Sequence, residues 1–258
     1  GDLMNYVIQR GKVSTKIALT FGVEILLGLR FLHDENQIIY RDLKLDNIMI
    51  GADGHVRIAD FGMVKRFTED ELNEGKLATT FCGTPDYMAP EILQYKPYGF
   101  KVDVWAWAVV MFEMMEGFSP FQGSTEDRLF HEIKWEEPRY KYSTVLKKEA
   151  KIKHLLDNCL NKNPDRRYTI ARCLKHEVFT KQFGDVKKVE ALECSPPDGI
   201  PPSSKDKFLK RFDEEAIGQS TDLIEVGGEQ VRSILGKEDQ IFKDFARDNV
   251  RLVNLYRM

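Results

Sequence analysis

Apolar residues recur at Ile17, Phe21, Ile25, Leu29 and Leu32. That helical spacing predicts one long helix over residues 14–33, with Ser14 as its N-cap. Two short apolar runs follow, Ile38-Ile39 and Ile48-Met49-Ile50. A turn at Ala52-Asp53-Gly54 then leads to a third, Val56-Arg57-Ile58-Ala59. The second run, the turn and the third run predict a small β-hairpin. From 61 to 90 the periodicity fades and Thr, Gly and Pro accumulate, which predicts a long ordered loop, a kind of segment that usually carries function. Helical patterns return over residues 102–115, 124–133, 148–159 and 170–176. Past Phe183 the composition shifts: Ser195-Pro-Pro-Asp-Gly-Ile-Pro-Pro-Ser-Ser204 reads as a linker, and charged residues with scattered aromatics follow. The expected architecture is mainly α, a helical lobe with one small hairpin over 1–179 and a tail over 180–258. No internal repeat is visible.

Composition narrows the classes. A hydrophobic content of 42%, with sixteen Phe and three Trp, is enough for a packed core. The net charge of −3 lacks the clustered basic excess of a nucleic-acid binder, so no nucleic-acid partner is expected. Cys82, Cys159, Cys173 and Cys194 form no C-x-x-C pair and have no histidine at metal spacing. They read as reduced thiols of a cytoplasmic protein. The longest apolar stretch, 102–115, is interrupted by Asp103 and Glu113 and is too short to span a bilayer. The opening Gly1-Asp2-Leu3-Met4 has no signal-peptide character and no initiator Met, so the chain reads as a piece of a longer one.

The densest chemistry lies in Tyr40-Arg41-Asp42-Leu43-Lys44-Leu45-Asp46-Asn47, between two apolar runs, with Asp60-Phe61-Gly62 just after the third. Phosphoryl transfer needs a carboxylate to accept a hydroxyl proton, a cation near the moving phosphate, and carboxylate and amide oxygens for a hard metal ion. These stretches supply all of them.

With Ala89-Pro90-Glu91, the runs R-D-x-K-x-x-N, D-F-G and A-P-E stand in the order and spacing of protein kinases, and the chain resembles that family. The resemblance implies a protein-kinase-like C-terminal lobe with ATP and Mg2+ as cofactors. Asp42 would be the catalytic base and Lys44 would bridge the acceptor hydroxyl and the phosphate. Asn47 and Asp60 would hold magnesium, Asp2 would meet the ribose, and Met49 would floor the adenine. Lys44, two residues after the catalytic Asp, implies serine/threonine acceptors. Asp103 resembles the buried aspartate that binds catalytic-loop N–H groups, and Glu91 with Arg167 resembles the lobe's buried ion pair.

Tyr40 in the usual His position, the segment Thr80-Phe-Cys-Gly-Thr-Pro-Asp-Tyr-Met-Ala-Pro-Glu91 and Pro97-Tyr98-Gly99 make the chain similar to the protein kinase C branch of the AGC group. On that likeness Thr80 is a phosphosite for an upstream activating kinase, with Arg41 and Lys65 reading the phosphate. Thr84 would meet the substrate hydroxyl. Asp46 and Glu113 would bind basic residues of protein substrates, although Glu113 could equally face solvent. Phe208-Leu-Lys-Arg-Phe212 and Ile241-Phe242-Lys-Asp-Phe245 resemble the AGC tail, an amphipathic helix packed on its own lobe being the alternative. Ala246 stands where that tail usually has a phosphorylatable residue, Ser220 and Thr221 are candidate turn-motif sites, and Ala108 replaces a usual Gly. The 258 residues contain no G-x-G-x-x-G loop and no strand lysine of the V-A-I-K type. The expectation is an isolated C-terminal lobe and tail, inactive by itself, cut from an active kinase whose small lobe and regulatory domains lie elsewhere. The competing expectation is a non-catalytic docking or regulatory module.

Overall fold

The chain enters through Asp2, whose carboxylate accepts the Asn5 N–H at 2.7 Å and caps α1 (Leu3–Arg10). No sequence pattern had marked this helix. In the same way Ser14 Oγ accepts the Ile17 N–H at 3.4 Å and starts α2 (Thr15–Arg30), which buries Ala18, Phe21, Val23, Ile25, Leu26 and Leu29. A computed structural model describes residues 1–51 and 53–184, all within one compact unit, Gly1–Pro202. Cys194, Phe208, Phe212, Ser220, Thr221, Phe242, Phe245 and Ala246 lie outside the described residues.

The helix predicted to reach His33 stops at Arg30. Phe31–Glu35 instead form a π-turn, closed by a bond from Asn36 Nδ2 to the Phe31 carbonyl at 3.0 Å. The wider turn leaves His33 buried, with Nε2 2.7 Å from Asp103 Oδ2. Four short strands follow: β1 (Ile38–Ile39), β2 (Ile48–Ile50), β3 (Val56–Ile58) and β4 (Lys65–Arg66). They form two antiparallel pairs, β1 with β4 and the expected hairpin of β2 with β3, in which Ile48 faces Ile58 and Ile50 faces Val56. Glu24 of α2 fastens this hairpin, lying 2.7 Å from His55 Nδ1 and accepting the Val56 N–H at 2.9 Å.

The stretch expected as one loop also contains α3 (Glu69–Asn73), which buries no residue and so leaves no apolar period to read. Its signal was a capping box. Thr68 Oγ1 accepts the Glu71 N–H at 3.2 Å and Glu71 Oε2 accepts the Thr68 N–H at 3.0 Å. After α4 (Pro90–Leu93) comes α5 (Lys101–Glu116), apolar on nearly every side and buried accordingly. Trp107 Nε1 donates to the Gly22 carbonyl at 2.9 Å and locks α5 against α2. A Cβ on Gly22 would meet the Met111 side chain, which would have to shift to make room.

Around this pair lie α6 (Glu126–Trp135), α7 (Ala150–Cys159), α8 (Ile170–Leu174) and α9 (Glu177–Phe183). The helix expected over 170–176 is broken because His176 leaves it to cap α9, its Nδ1 accepting the Val178 N–H at 3.3 Å. No helix among the described residues is long and apolar enough to cross a membrane.

Below α4, Arg167 and Glu91 form a two-pronged ion pair, Nη1 to Oε1 at 2.7 Å and Nη2 to Oε2 at 2.8 Å. The guanidinium is 2% exposed, stacks over Trp105 and also donates to the Asn161 and Lys101 carbonyls. Such a pair adds little net stability, but removing one partner strands a buried charge. Arg167→Met should therefore lower unfolding stability by about 3–5 kcal/mol, and adding Glu91→Leu should recover part of the loss. Urea denaturation checks this; strictly additive effects of the two changes would contradict it.

Candidate active site

One carboxylate at the start of α5 fixes the 40–47 loop. Asp103, 1% exposed, accepts the Tyr40 N–H at 2.8 Å through Oδ2 and the Arg41 N–H at 2.9 Å through Oδ1. Its Oδ2 also takes the bond from His33, a residue sequence reasoning missed. These bonds hold Arg41 at φ 73, left-handed backbone that a non-glycine residue rarely adopts and that costs on the order of 1 kcal/mol. The turn this produces sends Asp42 inward.

Asp42 is 6% exposed and its carboxylate is surrounded by donors. Oδ2 accepts Lys44 Nζ at 2.9 Å and Asn47 Nδ2 at 3.0 Å, while Oδ1 accepts the Thr84 hydroxyl at 2.7 Å and its N–H at 3.1 Å. Lys44 Nζ in turn donates to Thr84 Oγ1 at 3.0 Å. The four residues thus form one knot. Gly83 lets the 80–84 segment come this close: it sits at φ 111, and a Cβ there would lie 2.8 Å from the Arg41 carbonyl.

The hairpin brings in Asp60. Its register sets Asn47 beside Ala59, whose N–H donates to the Asn47 carbonyl at 2.8 Å, so Asp60 emerges next to the loop at φ 56, with Oδ1 accepting the Gly62 N–H at 3.1 Å. Burial first, and then the charges of Asp42 and Asp60, push the Tyr40 phenol far above its usual range. That neutral phenol donates to the Ala59 carbonyl, and its ring meets Phe61 edge-on. Asn47 spends its Nδ2 on the Asp42 carbonyl and carboxylate. Asn47 Oδ1 and Asp60 Oδ2 therefore remain acceptors without a donor among the described residues. A carboxylate and an amide oxygen suit a hard cation that takes its other ligands from phosphates and water. No group of three or more His, Cys, Asp or Glu able to hold a metal occurs among the described residues.

The remaining candidates separate. Asp2 and Met49 are neighbours through an isolated β-bridge, with Asp2 Oδ2 also accepting Asn5 Nδ2 at 2.8 Å. Glu113 accepts the Tyr87 hydroxyl at 2.6 Å and is pushed up to about 7, chiefly by burial, with the charges of Asp86 and Asp46 adding to it. Asp46 and Glu113 are thus brought together, and Asp86 joins them. Thr80 is exposed, and Lys65 is turned to Glu71 at 3.4 Å and over the Phe67 ring rather than left open. Arg41 donates from Nε to the Met63 carbonyl at 2.5 Å and from Nη2 to Val64 at 3.2 Å. Ala108 is fully buried in α5, away from these groups.

Residues 1–179 match the protein kinase domain. The chain belongs to that family. Among curated proteins this chain is 40% identical over 223 residues to mouse (Mus musculus) protein kinase C delta type, covering 86% of this chain and 32% of that protein. It is 38% identical over 229 residues to the Drosophila melanogaster protein kinase C, eye isozyme, covering 86% and 31%. With Caenorhabditis elegans protein kinase C-like 1 it shares 36% over 255 residues, covering 96% and 34%. Within the family it is protein kinase C-like, and it spans about a third of the length of these relatives.

Because folding raises the Glu113 pKa from near 4.5 to about 7, the folded state favours the protonated acid. Its contribution to stability is complete below about 4.5 and is lost as pH rises through 7. Glu113→Gln should therefore be more stable than the wild type near pH ~8 and indistinguishable from it near pH ~4. Thermal melts across this range give the answer; a pH-independent difference would refute the assignment.

Proposed function

We propose that this kinase domain, within its full-length polypeptide, transfers the γ-phosphoryl group of ATP to serine or threonine hydroxyls in proteins with basic residues near the acceptor. The observation that carries this reading is the knot on Asp42: a buried carboxylate with a lysine on one oxygen and a hydroxyl already seated on the other. An acceptor hydroxyl taking the place of Thr84 Oγ1 would be aligned by Asp42, which takes up its proton. Lys44 Nζ, within reach of both groups, would face the phosphoryl oxygens and offset their charge. ATP would bring Mg2+, held by Asn47 and Asp60, to neutralise charge developing on the transferred group. Met49 and Asp2 would meet the adenine and ribose.

Glu113 feels the charges of Asp46 and Asp86, and its protonated carboxyl would ionise on meeting a guanidinium, which favours arginine-rich substrates. Thr80 is read as the site of an activating phosphate delivered by another kinase. Arg41 is the cation placed to receive it, while Lys65 would first have to leave Glu71. We place this work in the cytoplasm, where the unbridged thiols of Cys82, Cys159 and Cys173 would stay reduced. Residues 1–258 contain no G-x-G-x-x-G loop and no lysine in a V-A-I-K-type run, so a preparation limited to them should be inactive.

The full-length polypeptide carrying Asp42→Asn should lose on the order of 10²–10⁴ in kcat on an arginine-rich serine peptide, with its melting curve unchanged. A variant that keeps the wild-type rate would end this reading. Glu113→Gln should raise KM for the same peptide several-fold while leaving KM for ATP unchanged, which initial-rate measurements test directly.

A further inference from the structure

Arg41 carries a full charge, yet its acceptors among the described residues are all neutral: the Met63 and Val64 carbonyls and, from Nη1 at 3.5 Å, the hydroxyl of Tyr98. Among the described residues Tyr98 is therefore the side chain that accepts a hydrogen bond from this guanidinium. It is 3% exposed and does more than accept. Its hydroxyl donates to the Thr80 carbonyl at 2.7 Å and lies 3.7 Å from Cys82 Sγ. Its main chain pairs with Ala78 in both directions, each bond 2.8 Å. Burial holds the phenol up to about 12, so it keeps the proton that Thr80 receives.

One residue thus grips positions 78, 80 and 82 of the segment and also the arginine preceding Asp42. We propose that Tyr98 is a positioning residue that holds Arg41 and the 78–82 segment in working geometry while Thr80 carries no phosphate. The proposal rests on the phosphoryl-transfer reading above and deepens it.

The physical argument is a competition for one cation. Without an anion nearby, the Tyr98 hydroxyl both accepts from Arg41 and donates to Thr80. A phosphate on Thr80 would offer Arg41 charge-assisted bonds roughly twice as strong as neutral ones. The phenol then becomes dispensable. Tyr98→Phe removes only the hydroxyl and keeps the ring packing, so its effect should depend on the phosphorylation state, which a purely structural role would not produce.

The test uses the full-length polypeptide, dephosphorylated or phosphorylated on Thr80, with an arginine-rich peptide and Mg-ATP. In the dephosphorylated form Tyr98→Phe should lower kcat about tenfold with KM for ATP unchanged, and in the phosphorylated form less than about twofold. Equal losses in both forms, or no loss in either, overturn the proposal. Amide hydrogen exchange gives a readout independent of turnover: exchange at 78–82 should rise in the dephosphorylated variant and stay unchanged in the phosphorylated one. Unchanged exchange in both forms, or exchange raised throughout the lobe, also overturns it. A wild type that transfers no phosphate in either form would refute the functional reading alone, and the exchange result would still decide the role of Tyr98.

Discussion

Everything at the active site hangs from the carboxylate of Asp103. A buried carboxylate is costly unless its lone pairs are filled, and here they are filled by the N–H groups of Tyr40 and Arg41 and by His33. The arrangement works in both directions. The loop donors keep the charge tolerable inside the protein, and the charge keeps the loop in a conformation that Arg41 would not adopt by itself. Because Asp103 sits in the first turn of α5, which is buried along nearly its whole length, the loop inherits the rigidity of the core. Asp42 is thereby placed by packing made far from it.

A second layer of positioning comes from the β2–β3 hairpin. Strands of three residues could not stand alone in water. They persist because Glu24 of α2 ties down the turn-side end at His55 and Val56, and because Ile48, Ile50 and Ile58 are buried. The hairpin then converts sequence distance into proximity, since residues 47 and 60 leave it at the same end. This explains why short apolar runs with little intrinsic strand stability are worth forming here.

The chemistry was more legible in the sequence than the scaffold. Asp42, Lys44 and Asn47 stand out by residue type and spacing, and the fold joins all three with Thr84 in one hydrogen-bonded cluster. The hairpin and α5 were readable because their apolar patterns are dense and their ends marked. α3 escaped because it buries nothing, although Thr68 and Glu71 wrote a capping box. α1 escaped because Asp2 had been assigned to a ligand, and its cap geometry cannot be told from that use by residue type. The π-turn and the break at His176 depend on contacts with distant residues, Asp103 for one and the packing of α9 for the other. No local pattern encodes either. Tyr98 was visible only as part of a family-like triplet, because its role lies in hydroxyl contacts made across the fold.

The charges divide into two kinds, and the division says where the outside world enters. Glu91 with Arg167 and Glu24 with His55 have partners inside the protein, so their bonding is satisfied and they define shape. Among the described residues Arg41 donates to neutral acceptors, and Glu113 meets a neutral phenol and the repulsion of two other acids. A half-buried ionisable group without an opposite partner is unfavourable in the folded protein alone. Its persistence at two places flanking Asp42, one a cation and one a carboxyl that burial pushes toward its protonated form, makes sense if complementary charges arrive from elsewhere: a phosphate on the segment side, a basic substrate on the other. On this view the lobe is not at its stability optimum by itself, and the deficit becomes affinity for the groups that complete it.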